Sequence, residues 1–64
     1  MKLNGTIIAL EKKQSLLDFL AAKKYDVTKI AVERNGEIVP RSAYDQVMLK
    51  DEDTLEIVSF VGGG

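Results

Sequence analysis

The spacing of apolar residues along the chain first indicates short strands and then a helix. In the opening stretch, "MKLNGTIIAL", apolar residues flank the dipeptide Asn4-Gly5. Asn-Gly accepts the positive φ angles of a tight hairpin turn, and the β-branched residues that follow it favour a strand. These positions predict a β-hairpin at the start of the chain.

The stretch "SLLDFLAAKK", residues 15–24, has a helical period instead. The apolar residues on one side of the predicted helix are Leu16, Leu17, Phe19, Leu20 and Ala21. Ser15 is the predicted N-cap, because its hydroxyl can accept a hydrogen bond from an amide of the first turn. Lys23 and Lys24 fall in the predicted last turn, where the helix dipole favours cations. No glycine marks the end of this helix.

The second half of the chain repeats the hairpin signal and then ends on a strand. "KIAVERNGEIVP" centres on Asn35-Gly36, and Pro40 predicts that the second strand stops there or lies at a sheet edge. "RSAYDQ" predicts an irregular or short helical connector, "VML" a brief strand, "KDED" a charged turn and "TLEIVSFV" the longest strand.

This order of elements provides a single helix for several strands. One helix covers only one face of a sheet, so the pattern predicts an α+β roll with a mixed sheet of four to five strands. The order is that of the β-grasp, or ubiquitin-like, fold. A single domain is predicted over residues 1–61, followed by a flexible glycine tail at residues 62–64.

The last strand has two apolar faces, and the sequence leaves open which one is buried. Alternation puts Leu55 and Ile57 on one face and Glu56, Val58 and Phe60 on the other. If Leu55 and Ile57 pack against the helix, Val58 and Phe60 form an exposed apolar patch beside the tail. In the alternative arrangement, Val58 and Phe60 belong to the core.

Composition excludes several classes of function. The 64 residues carry a formal net charge of −1 and contain neither His nor Cys, which removes thiolate nucleophiles, imidazole bases and the usual zinc ligands. The dispersed basic residues predict no binding to nucleic acid or to a membrane. The consecutive carboxylates of "KDED" lack the ligand spacing of a calcium loop, so a solvated turn is expected and no metal is predicted. With no signal-peptide pattern, a cytoplasmic protein is expected.

The printed sequence ends in Gly62, Gly63 and Gly64. Glycine has no Cβ, so its main chain can enter a narrow channel and lie close to another molecule. Three extended residues reach about 10 Å. The glycines alone leave two interpretations equally open, a functional arm and a terminus that is disordered without purpose.

The whole chain resembles the ThiS family, the small sulfur carrier proteins of thiamine biosynthesis. The matching motifs are "NG" at 4–5, "AVERNGEIVPR" at 31–41, the acidic turn ending in Asp53, and "LEIVSFVGGG" at 55–64. One departure is Glu52, where family members commonly have glycine. If that position requires a positive φ, a glutamate is strained there, and the turn is expected to differ in shape.

The resemblance implies a carrier cycle on the C-terminal carboxylate of Gly64. An ATP-dependent activating enzyme of the ubiquitin-activating type would adenylate that carboxylate, and sulfur from a donor would displace AMP. The thiocarboxylate would then pass its sulfur to thiazole synthase. The chain itself would catalyse nothing and bind no cofactor. Val58, Phe60 and Val61 are the residues expected to dock on these partners.

Two other classes of function stay open at this point. One is a different carrier or modifier with the same terminal chemistry, such as the small subunit of molybdopterin synthase or a ubiquitin-like tag. The other is a non-covalent binding module on the same scaffold, because a fold does not determine a function.

Overall fold

The computed structural model describes residues 1–60, so Val61, the predicted boundary after it and the tail glycines lie outside the described residues. Within residues 1–60 the elements are β1 Lys2–Leu3, β2 Thr6–Ile7, α1 Leu16–Ala22, β3 Ile30–Arg34, β4 Glu37–Val39 and β5 Thr54–Ser59. Two short 3₁₀ helices cover Val27–Lys29 and Arg41–Ala43, and the second confirms the predicted helical connector.

The strands form one mixed sheet in the order β2-β1-β5-β3-β4. β1 and β5 are parallel, and the other neighbours are antiparallel. The predicted α+β roll, with one main helix and a sheet of four to five strands, is therefore confirmed with five. β5, the last strand in sequence, lies at the centre of the sheet.

Both predicted hairpins form, and their turns explain why each begins with Asn-Gly. Asn4 and Gly5 have φ of 49° and 84°, and Asn35 and Gly36 have φ of 53° and 86°. Each pair forms a two-residue loop, between the partners Leu3 and Thr6 or between Arg34 and Glu37. Two consecutive positive φ angles are the geometry that matches the right-handed twist of paired strands.

The helix begins as predicted but ends earlier. The Ser15 hydroxyl accepts a hydrogen bond from the Asp18 amide at 3.0 Å, which confirms Ser15 as the N-cap. The helix stops at Ala22, so Lys23 and Lys24 lie beyond its last turn. Lys24 has a φ of 64°, the conformation that glycine usually supplies after a helix.

The core lies between α1 and the inner face of the sheet. Its buried apolar residues are Met1, Leu16, Phe19, Leu20, Ile30, Val32, Tyr44, Leu49, Leu55 and Ile57. The prediction that Leu17 and Ala21 share this face is wrong, because both are exposed. A seven-residue helix presents to the sheet only the narrow stripe of positions i, i+3 and i+4, and Leu17 and Ala21 flank that stripe.

Three sequence predictions around the last strand need correction. "VML" is not a strand, since within it Met48 makes only an isolated bridge to Ser15. The solvated turn "KDED" includes a buried residue, because Asp53 is 3% exposed. The longest strand was predicted to reach Val61, but β5 ends at Ser59.

Candidate functional site

β5 is the strand that precedes residue 61, and one of its faces is buried while the other is exposed. Leu55 and Ile57 are buried, whereas Val58 and Phe60 are 59% and 54% exposed. Leu55 and Ile57 therefore pack on the helix side, and the alternative in which Val58 and Phe60 form core is excluded. The exposed apolar patch lies immediately before residue 61.

Hydrogen bonds to its main chain hold the end of β5 on both sides. On the β3 side, the Phe60 amide donates to the Lys29 carbonyl at 2.7 Å. On the β1 side, the Ile57 amide donates to the Asn4 side-chain oxygen at 2.7 Å, and the Asn4 amide donates to the Leu55 carbonyl at 2.9 Å. These hydrogen bonds therefore fix the position of the backbone up to residue 60 relative to the sheet.

A second set of bonds fixes the beginning of β5. The Asp53 carboxylate accepts from the Asn35 side-chain amide at 3.0 Å, from the Lys50 backbone amide at 2.9 Å and from Arg34 Nε at 3.1 Å. The Asn35 side-chain oxygen accepts from the Thr54 amide at 2.9 Å. Asn4 and Asn35 therefore do more than form the predicted turns, since both side chains also accept hydrogen bonds from amides of β5.

The environment of Asp53 stabilises its charged form. Burial opposes ionisation, but the hydrogen bonds from Asn35, the Lys50 amide and Arg34, together with the positive charge of Arg34, outweigh it. The pKa of Asp53 is consequently lowered from its ordinary value of 3.8. The sequence showed this residue only as part of an acidic turn, and nothing local in "KDED" distinguishes it from its exposed neighbours.

The outer face of the sheet is the surface turned away from the helix. Register places Val58 opposite Ala31, and Glu56 opposite Glu33, which in turn pairs with Ile38 on β4. Ile38 is 66% exposed. We use "outer face" for these residues of β3, β4 and β5 together with Phe60, which follows directly after β5. The outer face thus combines exposed apolar side chains with the carboxylates of Glu33 and Glu56.

Over residues 1–60, no group of three His, Cys, Asp or Glu side chains is arranged to hold a metal ion. In the same part of the chain, every helix is too short or too polar to cross a membrane. The features that remain as candidates for function are the outer face and the chain end beyond it.

The ThiS family model matches residues 1–64, the whole sequence. The chain belongs to the ThiS family. The sulfur carrier protein ThiS of Bacillus subtilis is 40% identical over 65 residues, which cover 100% of this chain and 98% of that protein. A crystal structure of the thiamine biosynthesis protein ThiS from Geobacter metallireducens has a TM-score of 0.78 and 32% identity, and the match covers 98% of this chain and 96% of that one.

A thiazole synthase of Paramagnetospirillum magneticum is 64% identical over 39 residues, which are 61% of this chain but 12% of the length of that enzyme. The family model, the Bacillus relative and the Geobacter structure together identify this ThiS family member as a sulfur carrier of thiamine biosynthesis and not as an enzyme. The match to the Geobacter structure also confirms the predicted β-grasp fold.

The turn around Glu52 was expected to differ from the family pattern. The non-glycine residues with positive φ in residues 1–60 are Asn4, Lys24 and Asn35. Glu52 is not among them, so its backbone carries none of the strain that was considered for this position. The turn still holds Asp53 in place through its Lys50 amide.

Proposed function

We propose that this chain carries sulfur as a thiocarboxylate on Gly64 and delivers it to a thiazole synthase. An activating enzyme adenylates the Gly64 carboxylate with ATP, which releases pyrophosphate and makes AMP the leaving group. Sulfide supplied by a donor then attacks the acyl carbon, and cleavage of the bond between the acyl carbon and the AMP oxygen releases AMP and leaves the thiocarboxylate. The chain needs no cofactor of its own for this cycle, and we place it in the cytoplasm with its partner enzymes.

The observation that carries the proposal is the exposed apolar patch directly before the tail. Val58 and Phe60 are more than half exposed, whereas Leu55 and Ile57 on the other face of β5 are buried. A large apolar surface is stabilised when a partner covers it. We propose that Val58, Phe60 and Val61 dock on the partner enzymes and thereby aim Gly62, Gly63 and Gly64 into their active sites.

The fixed end of β5 supports this arrangement. Phe60 is hydrogen-bonded to Lys29, so its position relative to the outer face is fixed. A partner enzyme that binds the outer face therefore holds Phe60 at a set distance from the active site of that enzyme. Positioning a reacting group in this way lowers the entropic cost of the reaction. Three glycines then cover the remaining distance, up to about 10 Å when extended.

The chemistry is tested by intact-mass measurement after incubation with the activating enzyme, ATP and a sulfur donor. We expect a mass gain equal to the replacement of one oxygen by one sulfur. Deleting Gly64 or changing Gly63→Val should abolish the gain, while the thermal melting of the domain stays unchanged. Normal loading of Gly63→Val would contradict the proposal that a slender chain end is threaded into a narrow channel.

Docking is tested separately with Phe60→Ala. We expect binding to the partner enzymes to weaken by about tenfold or more, because buried aromatic residues carry a large part of the binding energy at interfaces. Met48→Ala is the matched control, since Met48 is an exposed apolar residue that lies outside the strands of the sheet. Equal effects of the two changes would contradict the assignment of the docking face.

A further inference from the structure

The outer face contains two negative charges placed directly opposite each other. Glu33 on β3 and Glu56 on β5 are register partners in the antiparallel pair at the centre of the sheet. Cβ atoms of such partners lie about 4.5–5.5 Å apart, and like charges in this position destabilise a sheet.

The described residues place no ion-pair partner on these carboxylates, and Lys2, which pairs with Thr54 from the neighbouring strand β1, makes none with Glu56. Over residues 1–60 the ion pair that forms is between Arg34 and Asp53, and neither Glu33 nor Glu56 takes part in one. Glu33 is flanked on its other side by Ile38, an exposed apolar residue. The two carboxylates therefore repel each other beside an apolar surface.

We propose that Glu33 and Glu56 together receive a basic side chain of the thiazole synthase, an arginine or a lysine surrounded by apolar residues. Two carboxylates on adjacent strands offer acceptors on both sides of one cation, and an arginine can bond to both at once. Binding a cation there also removes the repulsion between them. This inference rests on the proposed function, and it adds the charge that the partner must carry.

The choice of the synthase follows from the apolar surroundings and from the comparisons. Val58 lies one register step from the carboxylates on the same face, and Phe60 follows two residues further along the chain. A partner surface that covers Val58 therefore also covers the carboxylates, and the ion pairs become desolvated and specific. A segment similar to this chain occurs within the longer thiazole synthase of Paramagnetospirillum magneticum. A carrier segment joined to a synthase favours contact between the two, which makes the synthase the occupant we infer.

The test compares Glu33→Gln and Glu56→Gln by titration calorimetry against the thiazole synthase of the same organism. Each change should raise Kd by about 10- to 100-fold, because it leaves the partner's cation partly unpaired. The dependence of Kd on salt should also become weaker. The melting temperature of each variant should rise by about 1–5 °C, because the like-charge repulsion is removed.

Glu52→Gln is the matched control, because it removes the same charge from the exposed turn before β5. An unchanged Kd for both Glu33→Gln and Glu56→Gln would overturn the inference. So would an equal loss in Glu52→Gln, or a loss of binding confined to the activating enzyme.

Val58→Asp separates this inference from the proposed function. If Val58→Asp abolishes binding to the synthase while both glutamine variants bind normally, the charge pairing is wrong and the docking face stands. If Val58→Asp and both glutamine variants all bind the synthase normally, the assignment of the docking face is wrong as well as the charge pairing.

Discussion

Three donors converge on the carboxylate of Asp53 at the start of β5. They come from β3, from the turn that follows β3 and from the backbone amide of Lys50. Asp53 thereby ties the second hairpin to the first residue of the central strand. At this position the strength of the interaction depends on ionisation, since the carboxylate accepts all of these bonds in its charged form.

Replacing Asp53 by Asn should therefore destabilise the domain in a pH-dependent way. The folded-state pKa of Asp53 is lowered, so its contribution is complete above the unfolded value near 3.8 and is lost as the pH falls through the lower folded value. At pH 7 we expect Asp53→Asn to reduce the free energy of unfolding by about 2 kcal/mol. Urea denaturation of both proteins between pH 7 and pH 2 measures this difference.

Asp51→Asn is the control for this comparison, since Asp51 is exposed in the same turn. It should change stability little at any pH. If the difference between Asp53→Asn and the unaltered protein did not shrink in acid, the charged form of Asp53 would not be what stabilises the turn.

Among the elements, the end of the helix departs most clearly from the usual sequence preference. The Lys24 amide donates to the Ala21 carbonyl and the Tyr25 amide donates to the Leu20 carbonyl, each at 3.0 Å. These two bonds form the Schellman motif, in which the residue with positive φ is most often glycine. Here Lys24 occupies that position, so the motif forms at some cost in backbone strain.

Lys24→Gly should stabilise the protein by about 0.5–1 kcal/mol, because glycine adopts the positive φ without strain. Thermal unfolding followed by circular dichroism measures the effect. Lys23→Gly is the matched control, since Lys23 has a φ of −87° and gains nothing from glycine. It should lower stability through the greater freedom of the unfolded chain. A fall in melting temperature for Lys24→Gly would contradict this account.

At the scale of the whole molecule, the domain is packed on one side only. Helix and core cover the inner face of the sheet, whereas the outer face keeps apolar side chains in solvent. A domain of this size has little stability to spare, so apolar residues that do not contribute to its core are candidates for binding. Under the proposed docking, folding and function depend on opposite faces of the same strand.

Leu55→Ala and Val58→Ala should separate these two roles on β5. Leu55 is fully buried, so its truncation should cost about 2–5 kcal/mol of unfolding free energy. Val58→Ala should cost about 0.5 kcal/mol or less, since the side chain is largely exposed, yet it should weaken docking. Urea denaturation measures stability and calorimetry measures docking. Equal destabilisation by both changes would show that Val58 belongs to the core.

Local sequence was sufficient for the elements whose causes are local. Asn4-Gly5 and Asn35-Gly36 were recognisable as turns because the positive φ angles depend on those residues alone. Ser15 was recognisable as a cap because its partner lies three residues away. The function was predicted from the resemblance to the ThiS family and not from local sequence. The predicted roles of Gly62, Gly63 and Gly64 stay predictions, because these residues lie outside the described part of the chain.

The sequence by itself determined the turns, the helix start, the alternation of β5 and the class of fold. The tertiary structure decided that Val58 and Phe60 face outward, that Leu17 lies outside the core and that Asp53 is buried. It also brought Glu33 and Glu56 opposite each other across 23 positions of sequence, as 56 − 33. The reason is physical: turns and caps are set by near neighbours, whereas burial and strand register depend on which distant segments meet.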